Sequence, residues 1–183
     1  VDGRPVLDLN YLKNSGSRGI CRRKSSHPKR NRRNNKAGTK MIELVEDKLD
    51  IDTYLELRQS VNFRKLTRNQ AKKGLSNSMY TLVAFKDGKA VGMGRIVGDG
   101  AIICYVQDLI IRPEVQGEGI GGLILETLKK FVIQEGYEGT TMMFDLMCAK
   151  GREEFYKKHG FIARPTENLG PGMIQFIQIG EEG

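Results

Sequence analysis

Residues 102–134 read Ile-Ile-Cys-Tyr-Val-Gln-Asp-Leu-Ile-Ile-Arg-Pro-Glu-Val-Gln-Gly-Glu-Gly-Ile-Gly-Gly-Leu-Ile-Leu-Glu-Thr-Leu-Lys-Lys-Phe-Val-Ile-Gln. The run Ile102–Ile111 is rich in β-branched residues and closes before Pro113, which has no N–H to give to a strand ladder, so it predicts a strand. From Ile120 onward, Leu123, Ile124, Leu128, Phe131 and Val132 recur at helical spacing with Glu126, Lys129 and Lys130 on the other side, so a helix starts near Gly119. Between strand and helix lies Gln116-Gly117-Glu118-Gly119-Ile120-Gly121-Gly122. Residues without Cβ let backbone N–H groups converge on a ligand, and the free N–H groups and dipole of a helix start favour an anion. Strand, glycine turn and helix in that order predict a phosphate site.

Three nucleotide-binding readings compete for this loop. A P-loop ends in Gly-Lys-Ser/Thr, and Gly121-Gly122-Leu123 has neither the lysine nor the hydroxyl. A dinucleotide fingerprint can be laid on Gly117, Gly119 and Gly122 with Glu138 beyond, but a lone match of that kind ignores Gln116 and the proline-ended strand. The third reading uses all of these features. Gln116-x-x-Gly119-x-Gly121 after Leu109-Ile110-Ile111-Arg112-Pro113 resembles the acyl-CoA signature of the GNAT superfamily of N-acyltransferases. Further on, Lys150-Gly151-Arg152-Glu153-Glu154-Phe155-Tyr156-Lys157-Lys158-His159-Gly160-Phe161 resembles that family's next motif, a helix carrying a tyrosine and closing on Gly-Phe. The resemblance covers about residues 41–179.

It implies an α+β fold, a mixed and mainly antiparallel central sheet with helices on both faces, in which a splayed central strand pair holds acyl-CoA. It also implies an acetyl-CoA donor, direct transfer in a ternary complex to a primary amine on a small molecule or peptide, and no metal. Backbone groups of Leu109, Ile110 and Ile111 would meet the pantetheine arm. Those of Gln116, Gly117, Glu118, Gly119, Ile120, Gly121 and Gly122 would hold the pyrophosphate. Tyr156 aligns with the tyrosine that gives the leaving thiolate a proton or hydrogen bond, and an oxyanion donor is expected in a backbone N–H near Ile111. At Ala149 the chain departs from the family, which often has an asparagine there.

The base is not set by the motifs. Asp108 and Asp145 are each a lone carboxylate in an apolar run, and burial beside a thioester would raise their pKa. A hydrogen-bonded structural aspartate, relayed water or an amine arriving neutral are the alternatives. His159, in the turn before Gly160-Phe161, reads as a solvated side chain. The alternative at the level of function is an acyl-CoA-binding sensor that does not transfer.

The remaining elements follow from patterning. Met41–Val45 reads as a strand, Asp52 as the N-cap of a helix through Val61, and Thr67–Leu75 as a second helix. Tyr80–Phe85 and Ala90–Val97 read as a hairpin about Asp87-Gly88, with Asp99-Gly100 turning into the central strand. Thr140–Cys148 predicts a strand, Gly151–Lys158 a helix and Met173–Ile179 a last strand.

Composition bounds the rest. A chain of 183 residues with 39% apolar content suits one domain. No run reaches the roughly 18 to 20 apolar residues of a membrane span, and a cytoplasmic setting is expected. Three cysteines, Cys21, Cys104 and Cys148, lack Cys-x-x-Cys spacing, so neither a disulfide nor structural zinc is expected. The net charge of +8 divides into +10 for residues 1–40 and −2 for residues 41–183. Residues 1–40 are polar and without apolar period, and read as a disordered or cloning-derived segment beside a domain at 41–183. Nucleic acid is therefore not an expected partner. The −2 of the domain disfavours a bulk acidic ligand; the acceptor is not legible, and a homodimer is left open.

Overall fold

A computed structural model describes residues 42–179, in two units, 42–161 and 162–179. The basic segment 1–40 lies outside the described residues, as does Met41.

In the larger unit the order is β1 (Ile42–Glu46), α1 (Ile51–Ser60), α2 (Arg68–Ser76), β2 (Tyr80–Lys86), β3 (Lys89–Gly98), β4 (Ile103–Val106), β5 (Ile110–Ile111), α3 (Ile120–Glu135), β6 (Met143–Asp145) and α4 (Glu153–Lys158). The sheet runs β1-β2-β3-β4-β6, with β5 pairing β3; all pairs are antiparallel except β4 with β6. This is the expected mixed α+β sheet.

Strand alternation supplies two cores. Leu82, Ala84, Ile96, Cys104 and Val106 pack with Ile120, Ile124, Leu125 and Leu128 of α3. Val83, Met93 and Ile110 face the other way, onto Tyr54 and Leu57 of α1 and Ala71 of α2. The period of two therefore feeds both faces, which is what helices on both sides of a sheet require. Gly94 lets α3 lie close: a Cβ there would stand 2.6 Å from Cγ2 of Ile124 and 2.9 Å from Cδ1 of Leu128.

Local signals set most boundaries. Thr67 caps α2 in a reciprocal box with Gln70. The cap of α1 is Asp50 rather than Asp52, its Oδ1 accepting from the N–H of Asp52 and Thr53 at 2.9 Å each. Two carboxylates two residues apart look alike in sequence; the extended backbone of Asp50 decides between them. Asp99 Oδ1 accepts from the N–H of Ala101, Ile102 and Ile103, which pulls its pKa down to about 2 and ties the turn into β4.

The predicted single strand over 102–111 is broken in two. Ile96 pairs Val106 and Met93 pairs Ile110, so two residues of β3 oppose three residues, Gln107, Asp108 and Leu109. That extra residue is a β-bulge, and it reverses the alternation beyond it. Cys104 and Val106 face α3; Asp108 and Ile110 face α1. The strand expected over 140–148 is ordered only at Met143–Asp145, and the helix expected from Gly151 begins at Glu153.

In the smaller unit, the strand expected over 173–179 does not form. Residues 171–179 carry no regular element, and Met173, Ile174, Phe176, Ile177 and Ile179 are exposed. β-branched content favours an extended chain, but a strand exists only where a ladder partner is present.

Candidate acyl-CoA site

A cavity of about 520 Å³ opens beside β5. Leu109, Ile110, Ile111, Gln116, Gly117, Gly119, Ile120, Gly121, Gly122 and Tyr156 all line it, so the residues picked out for pantetheine, pyrophosphate and acid share one space. Glu118 does not line it.

The wall on the strand side is an unpaired sheet edge. β4 and β6 stay in register only through Tyr105 opposite Asp145, and beyond that point β5 pairs β3 alone. Met147 N–H, past the end of β6, donates instead to the Tyr105 hydroxyl at 3.0 Å. Arg112 N–H donates to Val91 O at 2.8 Å, toward β3. Backbone groups alternate sides along a strand, so the amide and carbonyl of Ile111 point the other way, into the gap. Consistent with this, Ile111 O accepts from the Gln116 side-chain amide at 3.0 Å.

The wall on the helix side is a bare N-terminus. Gly117 and Gly119 sit at φ of 86° and 80°, the left-handed region that glycine enters without steric cost. Gly119 is the N-cap of α3 and offers no side chain to it. The first helical bond runs from Leu123 N–H to Gly119 O, so the N–H groups of Ile120, Gly121 and Gly122 have no partner within the helix. A Cβ on Gly121 would stand 3.4 Å from the Phe155 ring and 3.6 Å from Ile111, and all three residues line the cavity.

Charge near the loop is arranged by contacts that sequence reading missed. Lys86 Nζ at the end of β2 holds both oxygens of Glu118, at 2.7 and 2.5 Å. That holds the one acidic side chain of the glycine loop outside the cavity lining. Arg152 lines the cavity and donates to Gln116 Oε1 at 3.0 Å. Gln116 thereby links the end of β5 to the start of α4. Spacing gives no sign of either contact, because both partners come from distant elements. Lys86→Met should weaken acetyl-CoA binding about three- to tenfold by leaving the Glu118 carboxylate facing phosphate. Adding Glu118→Gln should restore it; calorimetric Kd values unchanged by Lys86→Met alone would remove this role.

Tyr156 projects from α4 against Phe155 and Phe161, with ring centroids 5.0 and 5.7 Å away. Its hydroxyl makes no hydrogen bond to another described residue. Burial first, and Cys148 nearby, push its pKa up to about 12. The phenol is a proton-bearing donor throughout the neutral range.

The two carboxylates proposed as bases are placed differently. Asp108 is fully buried on the α1 side of the bulge and does not line the cavity. The Tyr54 hydroxyl donates to it at 2.8 Å, Arg58 at 2.5 Å and Arg95 Nε at 3.1 Å. Two guanidinium groups and a phenol occupy its lone pairs, so the geometry is that of a structural ion cluster. Asp145 stands on β6 opposite Tyr105 and is likewise absent from the cavity wall. His159 is not a solvated side chain either. Its Nδ1 lies 2.9 Å from Glu126, its ring packs tilted against Phe155 with centroids 4.9 Å apart, and a Cβ on Gly122 would meet it at 3.3 Å, so it ties α4 to α3. Among the described residues no cluster of three metal-ligating side chains occurs, and Cys104 and Cys148 are free thiols.

Residues 77–163 match the family model for the acetyltransferase (GNAT) domain. Residues 77–163 are a GNAT acetyltransferase domain. A GNAT-family acetyltransferase of Streptococcus pneumoniae superposes with a TM-score of 0.60 at 26% identity, over 78% of this chain and all of that one. The N-acetyltransferase ycf52 of Pyropia yezoensis is 31% identical over 60% of this chain and 63% of its own length. GCN5-related N-acetyltransferase 2, chloroplastic, of Arabidopsis thaliana is 30% identical over 42% of this chain. The chain thus spans less than two thirds of these two relatives, of which it covers 63% and 28%. The GNAT domain takes in the hairpin of β2 and β3, the glycine loop, Tyr156 and the closing Gly160-Phe161. Helices α1 and α2 lie before it in the chain.

Proposed function

We propose that this GNAT domain transfers the acetyl group of acetyl-CoA to a primary amine by direct attack within a ternary complex. The observation that carries the reading is the single cavity shared by an unpaired β5 edge, the uncapped start of α3 and a protonated Tyr156. The pantetheine amides would pair with Leu109 and Ile111 as an added strand does. The pyrophosphate would take the N–H groups of the glycine loop and of Ile120 to Gly122. The Ile111 N–H would stabilise charge developing on the thioester carbonyl, and Arg152 would balance phosphate charge.

Attack by the neutral amine forms the C–N bond as the C–S bond breaks, and the amine nitrogen gives up one proton while the sulfur gains one. Tyr156 donates the hydrogen bond to the departing sulfur. A phenol with a pKa near 12 is a poor acid toward a thiolate, so it works chiefly by lending its proton while the amine's proton, carried by water, restores the balance. Asp108 has no part in this step. Residues 1–40 have none either in this reading; the acetyltransferase unit begins near residue 41. One relative is chloroplastic by name, which leaves the cytoplasmic setting without support from the relatives. No helix among the described residues is long and apolar enough to cross a membrane.

Release of free CoA thiol in the presence of acetyl-CoA and a panel of primary amines tests the reading; binding without release under every amine would leave a sensor. Gly121→Glu should bring acetyl-CoA binding down by about tenfold or more, since it adds a carboxylate to the cavity lining beside the N–H groups that would hold phosphate. Binding as tight as the parent's would place the cofactor elsewhere.

A further inference from the structure

A second groove, of about 650 Å³, lies along the turn from α1 to α2. Arg58, Gln59, Asn62, Phe63, Arg64 and Lys65 line it, and no carboxylate does. Phe63 also lines the acyl-CoA cavity, so the two spaces meet at one ring.

The groove rests on the buried ion cluster. Arg58, one nitrogen on Asp108, places another 3.2 Å from the carbonyl of Arg64 and lays its guanidinium 5.3 Å over the Phe63 ring. Phe63 N–H donates to Arg58 O at 3.0 Å and Asn62 N–H to Gln59 O at 3.0 Å. The turn is therefore fastened to the end of α1 at Asn62, Phe63 and Arg64. Arg64 and Lys65 stand out from it, exposed, in no ion pair with a described residue. The acidic residues on the solvent side of α1 are already taken: Asp52 by Arg68 and Glu56 by Arg112. Behind the groove, Asp108 balances only one of Arg58 and Arg95, which leaves one positive charge in low dielectric. The groove is positive although residues 41–183 sum to −2, and local rather than bulk charge governs what enters it.

We propose that the acceptor is a small amine carrying an anionic group, carboxylate or phosphate, seated on Arg64 and Lys65 while its amino end passes Phe63 to the thioester. This deepens the acetyl-transfer reading and rests on it. A space of this volume suits a small molecule. Two exposed cations at contact distance favour the anion by about tenfold over a neutral analogue, less at high salt.

The test pairs amines that differ only in the anion: 3-aminopropyl phosphate with 3-aminopropanol, and 5-aminovalerate with its amide. Thiol release should give kcat/KM about tenfold higher for each anionic member, and in the Arg64→Ser, Lys65→Ser double variant the ratio should fall to about one with acetyl-CoA affinity as in the parent. Neutral members used as well as anionic ones, or a preference that survives the double variant, would overturn the proposal. Calorimetry of 3-aminopropyl phosphate separates it from the reading beneath. Binding that the double variant loses, with no thiol release from any amine, sinks acetyl transfer and keeps the anion site. Release without anion preference does the reverse.

Discussion

Tyr156→Phe is expected to lower kcat by about 10² to 10⁴ while acetyl-CoA affinity stays within a few-fold, because a hydrogen bond to the leaving sulfur strengthens only as the C–S bond breaks. The ring keeps its contacts with Phe155 and Phe161, so folding should be untouched. Burial disfavours the charged phenolate, which raises the pKa to about 12. The donor therefore keeps its proton through neutral and mildly alkaline pH, and Tyr156 itself should cause no fall in kcat until the pH nears that value. Single-turnover measurement by rapid quench, where chemistry limits, is the check. Full activity in the variant would leave Tyr156 as packing between α4 and the motif's closing Phe161, and would hand the proton to water.

Asp108→Asn is expected to destabilise the domain by about 3 to 5 kcal/mol, because it removes the one negative charge between two buried guanidinium groups. The side chain of Asp108 is fully buried, and those of Arg58 and Arg95 are only 11% and 9% exposed, so water cannot replace the lost partner. For a domain of this size that is a fall in Tm of roughly 10 to 20 °C. The result separates the two roles a lone strand aspartate can have. A base would lose turnover at unchanged Tm; a structural cluster loses Tm first. Because Arg58 also holds Phe63 and the Arg64 carbonyl, the variant should raise KM for the amine even where it remains folded. An unchanged Tm would return Asp108 to the list of candidate bases.

What the sequence by itself determined is what depends on neighbours along the chain. The glycines at 117 and 119 were legible because left-handed turns need them, and α3 because its apolar residues repeat at its own period. The hairpin at Asp87-Gly88, the capping box at Thr67 and the tyrosine helix at 153–158 are local in the same sense. Motif order relates loop and tyrosine to one acyl-CoA by resemblance, and both line one cavity. Tertiary structure decided the rest. Whether Asp108 faces the thioester or the ion cluster turns on one extra residue opposite β3, a matter of pairing between strands that leaves no mark in hydropathy. Lys86 with Glu118, and Arg152 with Gln116, join residues 32 and 36 positions apart, and only the packed sheet brings them together. The run 173–179 shows the converse: β-branched residues alone make no strand, since the ladder that defines one belongs to two segments at once.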